Sequence, residues 1–538
     1  MKLQIDLKKI IKLLAKDIYD TPFALLRENL QNAYDAVLIR KLKDTNYNNP
    51  EIRLYIQKDR IIISDNGIGM TLEVIENNYW KAGASGKNNE DARKAGVVGT
   101  FGIGAMANYG VCQNLKVESR YYDSIKTVVT ELNIEDISMD EDCISTSTSS
   151  DVKLPVGTTV TATLNPDVLI VEQEAISYIT PYIRFVPFPV YINGNLISKQ
   201  DFFKEVIDSN YSETLFSGNI NNDIWKFNLN VYSIKKNGEN LVGFYVKNIF
   251  LHNQAINGEI VLCQNRKIIF TLRSGFGLAP IVLTSSFKWG GLVNLSNIIP
   301  TAGRDSLTRE SVETISSLVI FAEKKIADVY SNVSICDSNR DFLLYVYQHK
   351  NLNSNLAKNI KIFRQPTSDY ICLGTVQKNM DHHDVRFYAG LDETIKSSFA
   401  NENNYLLIIS KDIIRREIQI AYLLSLGIES VPDVVTTNDY EESELALGEL
   451  FVIYRIEYIL RNDYFLNNVH VYFSEISHNQ PFKVEELNKK IIIHIAKNSN
   501  SVLYLREVYS NHFSLFDSFV KDYVRQNLWF NKYFCGNA

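Results

Sequence analysis

Residues 27 to 36 read Arg27-Glu28-Asn29-Leu30-Gln31-Asn32-Ala33-Tyr34-Asp35-Ala36, and this stretch decides how the rest of the chain is understood. It is expected to form one face of an early helix. On a helix, residues three and four apart are neighbours, so Glu28, Asn32 and Asp35 project from the same side. A carboxylate beside a carboxamide can hold a hydrated divalent cation through the amide oxygen while the acid polarises a water, which is the chemistry of nucleotide hydrolysis. The competing reading is a solvated helix face, since acidic residues at helical spacing commonly sit in water.

Upstream, Leu7, Ile10, Ile11, Leu14 and Ile18 form a helical stripe over Asp6 to Asp20, with Asp6 as N-cap, until Thr21-Pro22 breaks it and restarts the helix. Downstream, Glu51 to Gln57 and Arg60 to Ile63 predict a hairpin whose second strand runs into Asp65-Asn66-Gly67-Ile68-Gly69-Met70. An aspartate at a strand end followed by two glycines lets backbone bend around a planar ligand, and its carboxylate can accept from an exocyclic amine. A plain glycine turn is the alternative. The segment Lys81-Ala82-Gly83-Ala84-Ser85-Gly86-Lys87 and the run Gly96 to Ala107, with Gly99-Thr100-Phe101-Gly102-Ile103-Gly104, predict a mobile lid ending at a helix start where phosphates can bind. The order of glycines fits neither a dinucleotide fingerprint nor a Walker A loop.

Strands are expected from Cys112 to Ile170, interrupted by an acidic, Ser/Thr-rich loop over Glu135 to Asp151, with Gly157-Thr158 opening the last of them. A border is placed near residue 190, before the Asn193-Gly194 turn. Later come strands at Trp225 to Ile234, Leu241 to Leu251 and Leu292 to Pro300, the loop Thr301 to Thr308, and a helix from about Arg309 to Tyr330. Beyond residue 336, Tyr405 to Ile409 and Gly427 to Val431 are expected as strands, and Asp412 to Leu426 and Leu445 to Leu460 as helices. The aromatic tail around Phe513 to Tyr523 is core or dimer interface.

A chain of 538 residues holds three or four domains at ~150 residues each. We place them at 1–190, 191–335, 336–435 and 436–538. The formal net charge of -6 argues against nucleic acid as a partner. No apolar run reaches the ~18 residues of a membrane span, and the Lys-interrupted N-terminus is not read as a secretory signal, so a cytoplasmic protein is expected. The six cysteines lack metal or disulfide spacing and are expected to be structural. His382-His383 has no partners at a ligand spacing.

Taken in order, Glu28-x-x-x-Asn32-x-x-Asp35, Asp65-x-Gly67-x-Gly69, the glycine-bounded lid and Gly157-Thr158 resemble the Bergerat-fold ATPases: Hsp90 chaperones, type II topoisomerases, MutL proteins and histidine kinases. Hsp90 is the nearest likeness, through Leu13 to Tyr19, Phe23 to Ala36, Val98 to Gly104, Tyr245 to Phe250 and Pro300 to Leu307. The likeness covers about residues 1 to 335, and thereafter holds in outline. It implies an α+β protein: an N-terminal ATPase sandwich, an α/β middle region and a C-terminal α/β domain. It implies ATP and Mg2+ as ligands, client proteins as partners, and a homodimer in a stress-response setting. Carried over, Glu28 is the general base, Asn32 the magnesium ligand, and Asp65 the adenine contact, supported by Gly69 and Thr158. Asp35, Gly67, Met70 and Asn78 also line the nucleotide, and Gly99 to Gly104 cradle its phosphates. Arg304 reaches the γ-phosphate, with Arg309 the competing choice. The family's lid lysine falls on Ala84, leaving Lys87 or Lys81 to stand in.

The rival reading is a MutL- or topoisomerase-like ATP-gated clamp on DNA, which needs a basic middle groove and salt-dependent binding. A non-hydrolysing ATP sensor is a further class, and the intact Glu28 speaks against it.

Overall fold

The polar stretch belongs to one helix, α1 (Ala24–Lys43), in a computed structural model that describes residues 21–81, 97, 106–138, 141–150, 154–208, 212–236, 238–301, 306–379, 383–390, 399–400, 404–431, 437–477 and 480–527. The helix expected over Asp6 to Asp20 lies outside these. Thr21 Oγ1 accepts from Phe23 N–H at 3.3 Å just ahead of α1, and Arg40, Lys41 and Lys43 complement the dipole in its last turn. Leu25, Leu26, Leu30 and Val37 are buried, but so are Arg27, Glu28, Asn29, Gln31 and Asp35. The solvated-face alternative is therefore excluded: α1 is enclosed on most sides, and its polar groups are inside.

The chain divides into two compact units, Met1–Tyr345 and Val346–Ala538. The first unit begins with an eight-stranded sheet of β1 (Ile52–Ile56), β2 (Arg60–Asp65), β3 (Cys112–Arg120), β4 (Thr127–Asn133), β5 (Ile144–Ser149), β6 (Gly157–Leu164), β7 (Val190–Ile192) and β8 (Asn195–Leu196). Their spatial order is β5-β4-β3-β6-β2-β1-β7-β8, antiparallel except for the β1–β7 pair. The strands alternate, as in β1, where Ile52, Leu54 and Ile56 point inward. Helix α1 packs across β1, β2 and β6, and against α2 (Glu172–Ile183).

Two expectations are corrected here. The Glu135 to Asp151 stretch is not a continuous loop, because β5 lies inside it as an edge strand; its Ser/Thr-rich sequence has no apolar face to betray it. The border near residue 190 cuts through the sheet, since Asn193 and Gly194, both at positive φ, form the turn that joins β7 to β8.

A second sheet follows, from β9 (Ser212–Asn221), β10 (Trp225–Lys236), β11 (Glu239–Leu251), β12 (Gln254–Ile256), β13 (Gly258–Cys263), β14 (Ile269–Arg273), β15 (Phe276–Ile281) and β16 (Gly290–Leu295). Its order is β15-β14-β16-β13-β11-β10-β9, with β12 on β11. Helix α3 (Arg309–Tyr330) lies against β9 and β10, and Thr308 caps it by accepting from Ser311 N–H at 3.4 Å. Its bounds are those the sequence predicts.

The second unit contains two smaller sheets. One consists of β17 (Lys361–Gln365), β18 (Asp369–Cys372), β19 (Asp384–Tyr388) and β20 (Asn404–Ile408), accompanied by α4 (Ile413–Ser425). The strand expected over Gly427 to Val431 is absent: Gly427 turns the chain at positive φ, and only Ser430 bridges to Phe387. The other consists of β21 (Thr437–Asp439), β22 (Val469–Ile476), β23 (Phe482–Leu487) and β24 (Lys490–Ala496) with α5 (Leu447–Asn462), α6 (Asn500–Asn511) and α7 (Phe513–Asn527). Phe516, Val520, Tyr523 and Val524 of the aromatic tail join Val452, Ile456, Phe473 and Ile493 in one core.

Candidate functional site

Glu28 and Asp35 are 2% and 0% exposed, while Asn32 between them is half-buried. Burying carboxylates costs several kcal/mol unless polar partners meet them. Glu28 Oε1 accepts from Arg27 Nη2 at 3.3 Å. Burial pulls the Arg27 guanidinium down, but Glu28 and the hydroxyls of Tyr178 and Tyr182 on α2 more than reverse this, and it ends above its ordinary value. Its guanidinium carbon lies 5.8 Å from the Tyr182 ring centroid.

The second half of the site is the corner where β2 ends. Asp65 is the register partner of Thr158 on β6, and Thr158 is the partner of Ser119 on β3, so three side chains stand in a row on one face. Ser119 ties the row together. Its hydroxyl accepts from Met70 N–H at 2.8 Å, donates to the Gly157 carbonyl at 3.1 Å, and lies 3.0 Å from Thr158 Oγ1. Asp65 Oδ1 accepts from Gly67 N–H at 2.7 Å, closing the turn. The glycines are required by geometry. A Cβ on Gly67 would collide with Ala36 of α1, and one on Gly69, which has φ +68, would collide with the Arg120 carbonyl.

Ala36 is where the halves meet: Ile68 N–H donates to the Ala36 carbonyl at 3.0 Å, one residue beyond Asp35. Asn66 anchors the same loop. Its carbonyl accepts from Arg40 Nη1 at 2.7 Å, and its side-chain oxygen accepts from Glu51 N–H at 2.8 Å and Tyr47 O–H at 2.5 Å. Burial, then the charge of Asp65, pushes the Tyr47 hydroxyl above its ordinary range. Asn29 Nδ2 donates to Asn108 Oδ1 at 2.7 Å, both buried, fixing α1 against the short helix Met106–Tyr109.

The structure thus brings together Asp35, Asp65, Gly67, Gly69, Met70 and Thr158, with Glu28 and Asn32 further along the same helix. Asn78 sits half-buried in the π-helical turn Ile75–Tyr79, and no hydrogen bond ties it to this corner among the described residues. Lys87, Gly99, Thr100, Phe101, Gly102, Ile103, Gly104 and Arg304 lie outside the described residues. Arg309 is 93% exposed and pairs with Glu313 at 2.7 Å. Ser119, Asn66 and Asn108 escape the sequence reading. Ser119 is one serine within a strand, and only the β3–β6–β2 register gives it meaning.

The oxygen donors of Glu28, Asn32 and Asp35 suit a hard cation such as Mg2+, which takes one or two protein ligands and completes its shell with water and phosphate oxygens. Among the described residues no group of three His, Cys, Asp or Glu could hold a metal by itself, and no helix is long and apolar enough to cross a membrane. His383 stacks on Tyr405 with centroids 4.0 Å apart. A cavity of about 780 Å³ opens away from the corner, at the edge of the second sheet, between Lys204, Ile234, Lys236, Cys263 and Arg266.

Residues 21–162, which span α1 and the whole Asp65 corner, match the family of histidine kinase-, DNA gyrase B- and HSP90-like ATPases. The N-terminal part thus carries an ATPase domain of this family. The chain is similar to the chaperone protein HtpG of Clostridium acetobutylicum, 28% identical over 41% of this chain and 38% of that protein. It is similar also to the mitochondrial heat shock protein 75 kDa of Bos taurus, 27% identical over 36% of this chain and 28% of that one. The HtpG of Desulfitobacterium hafniense is 25% identical over 47% of each chain. The matched part of the chain therefore spans under half the length of these curated relatives.

Proposed function

We propose that this protein is an ATP-dependent, Hsp90-like molecular chaperone or remodelling factor that binds and hydrolyses ATP and acts on client proteins as a homodimeric clamp closed by its lid. The observation that carries the reading is the junction at Ala36, where a helix bearing buried acids meets the Asp65 loop. The match of residues 21–162 and the chaperone names of the relatives support it. Asp65 recognises the adenine amine, with Thr158 and Gly69 shaping the floor. Glu28, held off solvent, takes the proton of the attacking water. Asn32 presents its amide oxygen to Mg2+, which supplies charge neutralisation at the phosphates. Gly99 to Gly104 cradle the phosphates, with Lys87 and Asn78 beside them, and Arg304 completes the γ-phosphate contacts on closure.

The test is ATP turnover by the purified chain beside Glu28→Ala, with nucleotide affinity measured in parallel. The variant should bind nucleotide as the wild type does and lose about 10²–10⁴-fold in turnover, the range of a positioned general base. Equal turnover removes the mechanism.

A further inference from the structure

The cavity at the edge of the second sheet lies away from the Asp65 corner and has no part in the nucleotide reading. Three pieces of chain enclose it: the short helix Phe202–Val206, the turn joining β10 to β11, and the loop between β13 and β14. Each is fixed by its own bonds. Asp201 Oδ1 accepts from the N–H groups of Phe203 and Lys204 at 3.0 and 3.1 Å, which starts the helix. Lys236 is the register partner of Glu239, and Gly238 turns the chain between them at φ 80. Asn265 Nδ2 donates to Glu239 Oε2 at 2.9 Å, and Arg266 Nη2 donates to the carbonyls of Glu205 and Val206 at 2.8 and 3.2 Å. The β13–β14 loop is thereby tied to the turn on one side and to the helix end on the other. The space they frame, about 780 Å³, falls within the ~300–1,000 Å³ of small-molecule sites.

Its walls divide by chemistry. Val206, Ile234, Leu241 and Cys263 form the floor; each is under a tenth exposed, and all four belong to the core that includes Val261 and Leu272. The buried amide beside them, Gln264, is already engaged, since its side-chain oxygen accepts from Val242 N–H and from Asn339 Nδ2, both at 2.8 Å. The floor therefore offers a ligand apolar area and not hydrogen bonds. The rim is the opposite. Lys204, Lys235, Lys236 and Arg266, all exposed, stand there against Asp208 and Glu239. Glu239 is engaged by Asn265, and among the described residues no ion pair joins Lys235 or Lys236 to a carboxylate. Cations in excess at the mouth of a cleft attract an anion, and Arg266, pinned by two backbone carbonyls, is one that needs little further ordering.

We propose that this cavity binds a small amphiphilic anion: an apolar chain lying on Val206, Ile234, Leu241 and Cys263, and a carboxylate or phosphate head among Lys235, Lys236 and Arg266. Neither half of the site suffices alone. The floor without the rim would take a neutral hydrocarbon chain equally well, and the rim without the floor would hold only a loosely screened ion.

The experiment is a calorimetric titration of the full chain with sodium decanoate and with decyl phosphate, each below the concentration at which it self-associates, beside decanol and butyrate. At least one of the two long anions should bind with one-to-one stoichiometry, and the tighter of them names the head group. Butyrate should bind more than about a hundredfold more weakly for want of buried chain. Decanol should bind about five- to tenfold more weakly than the preferred anion, the order of two exposed ion pairs. Lys235→Gln combined with Lys236→Gln, both at exposed positions, should cost the anion that same factor and leave decanol unaffected. Cys263→Met, which fills the floor from within, should weaken anion and alcohol alike; should it fail to fold, the lysine variant carries the test. Binding of neither long anion, decanol as tight as the anions, or undiminished anion affinity in the lysine variant overturns the proposal. The titrations stand whether or not the chain binds nucleotide, so failure here and failure of the nucleotide reading are separate results.

Discussion

Glu28 and Glu449 are both glutamates on helices and both only 2% exposed, yet the structure treats them differently. Glu449 stands in the first turn of α5, where Oε2 accepts from Ala446 N–H at 2.8 Å, and Arg506 and Lys497 approach it at 3.1 and 3.6 Å. Everything about it is explained by helix capping and charge pairing. Glu28 lies inside α1, caps nothing, and shares its face with a half-buried amide and a second buried acid next to a glycine loop. Burial alone does not mark a functional carboxylate. What separates the two is the company they keep: Glu449 completes a helix cap and an ion cluster, whereas Glu28, paired with Arg27 at 3.3 Å, shares its helix with Asn32 and Asp35 beside the Asp65 loop.

The contrast can be broken by exchanging the phenotypes of the two residues. Glu28→Gln should cost about 10²–10⁴-fold in ATP turnover while thermal unfolding stays close to that of the wild type. Glu449→Gln should do the reverse. Removing one partner from a buried ion cluster costs about 3 kcal/mol, seen as a lowered midpoint in denaturant, with MgADP affinity unchanged. Loss of turnover without loss of stability in Glu449→Gln would erase the distinction.

A smaller effect sharpens the account of the Asp65 corner. Ser119→Ala leaves the Met70 N–H and the Gly157 carbonyl short of a partner, costing about 1–3 kcal/mol of stability, and MgADP affinity should fall several-fold along with it. An unchanged affinity would separate the Ser119–Thr158 row from ligand binding.

The smallest effect concerns thiols. Burial pushes Cys112 up to about 12 and Cys263 up to about 11, the latter against the opposing pull of Arg266 and Lys236. Both groups stay protonated in the fold at pH values where the unfolded thiol, at 9.0, ionises. Their contribution to stability is thus complete below pH 9 and declines as pH rises through 9 toward those raised values. A thiol-reactive disulfide reagent at pH 8 should leave both unmodified until denaturant is added; rapid labelling of either in the folded chain contradicts this.

Sequence alone located α1 and the hairpin ending at Asp65, announced by Thr21-Pro22 and by the alternation of β1, and it gave the bounds of α3, though the Thr308 cap that starts this helix emerged only in the structure. The resemblance that the order of the motifs carries implied that Asp65 and Thr158 share one site. It could not see that they are register partners, since register belongs to the assembled sheet. For the same reason Ser119 and Asn66 were invisible, as was the hairpin that brings the Ser274 carbonyl to Tyr34 across more than two hundred residues. The edge strand β5 was lost because its alternation is Ser with Thr, and Gly427 to Val431 was overread because its alternation of Ile428 and Val431 with polar residues ends in a single bridge to Phe387 and not in a ladder.

The most direct measurement is a calorimetric titration of MgADP into the wild type and into Asp65→Asn. The substitution keeps an oxygen for Gly67 N–H and removes the charge that accepts an adenine amine. Binding by the wild type with none by the variant is the predicted result; equal affinities in the two proteins would contradict a nucleotide seated between α1 and the Asp65 loop.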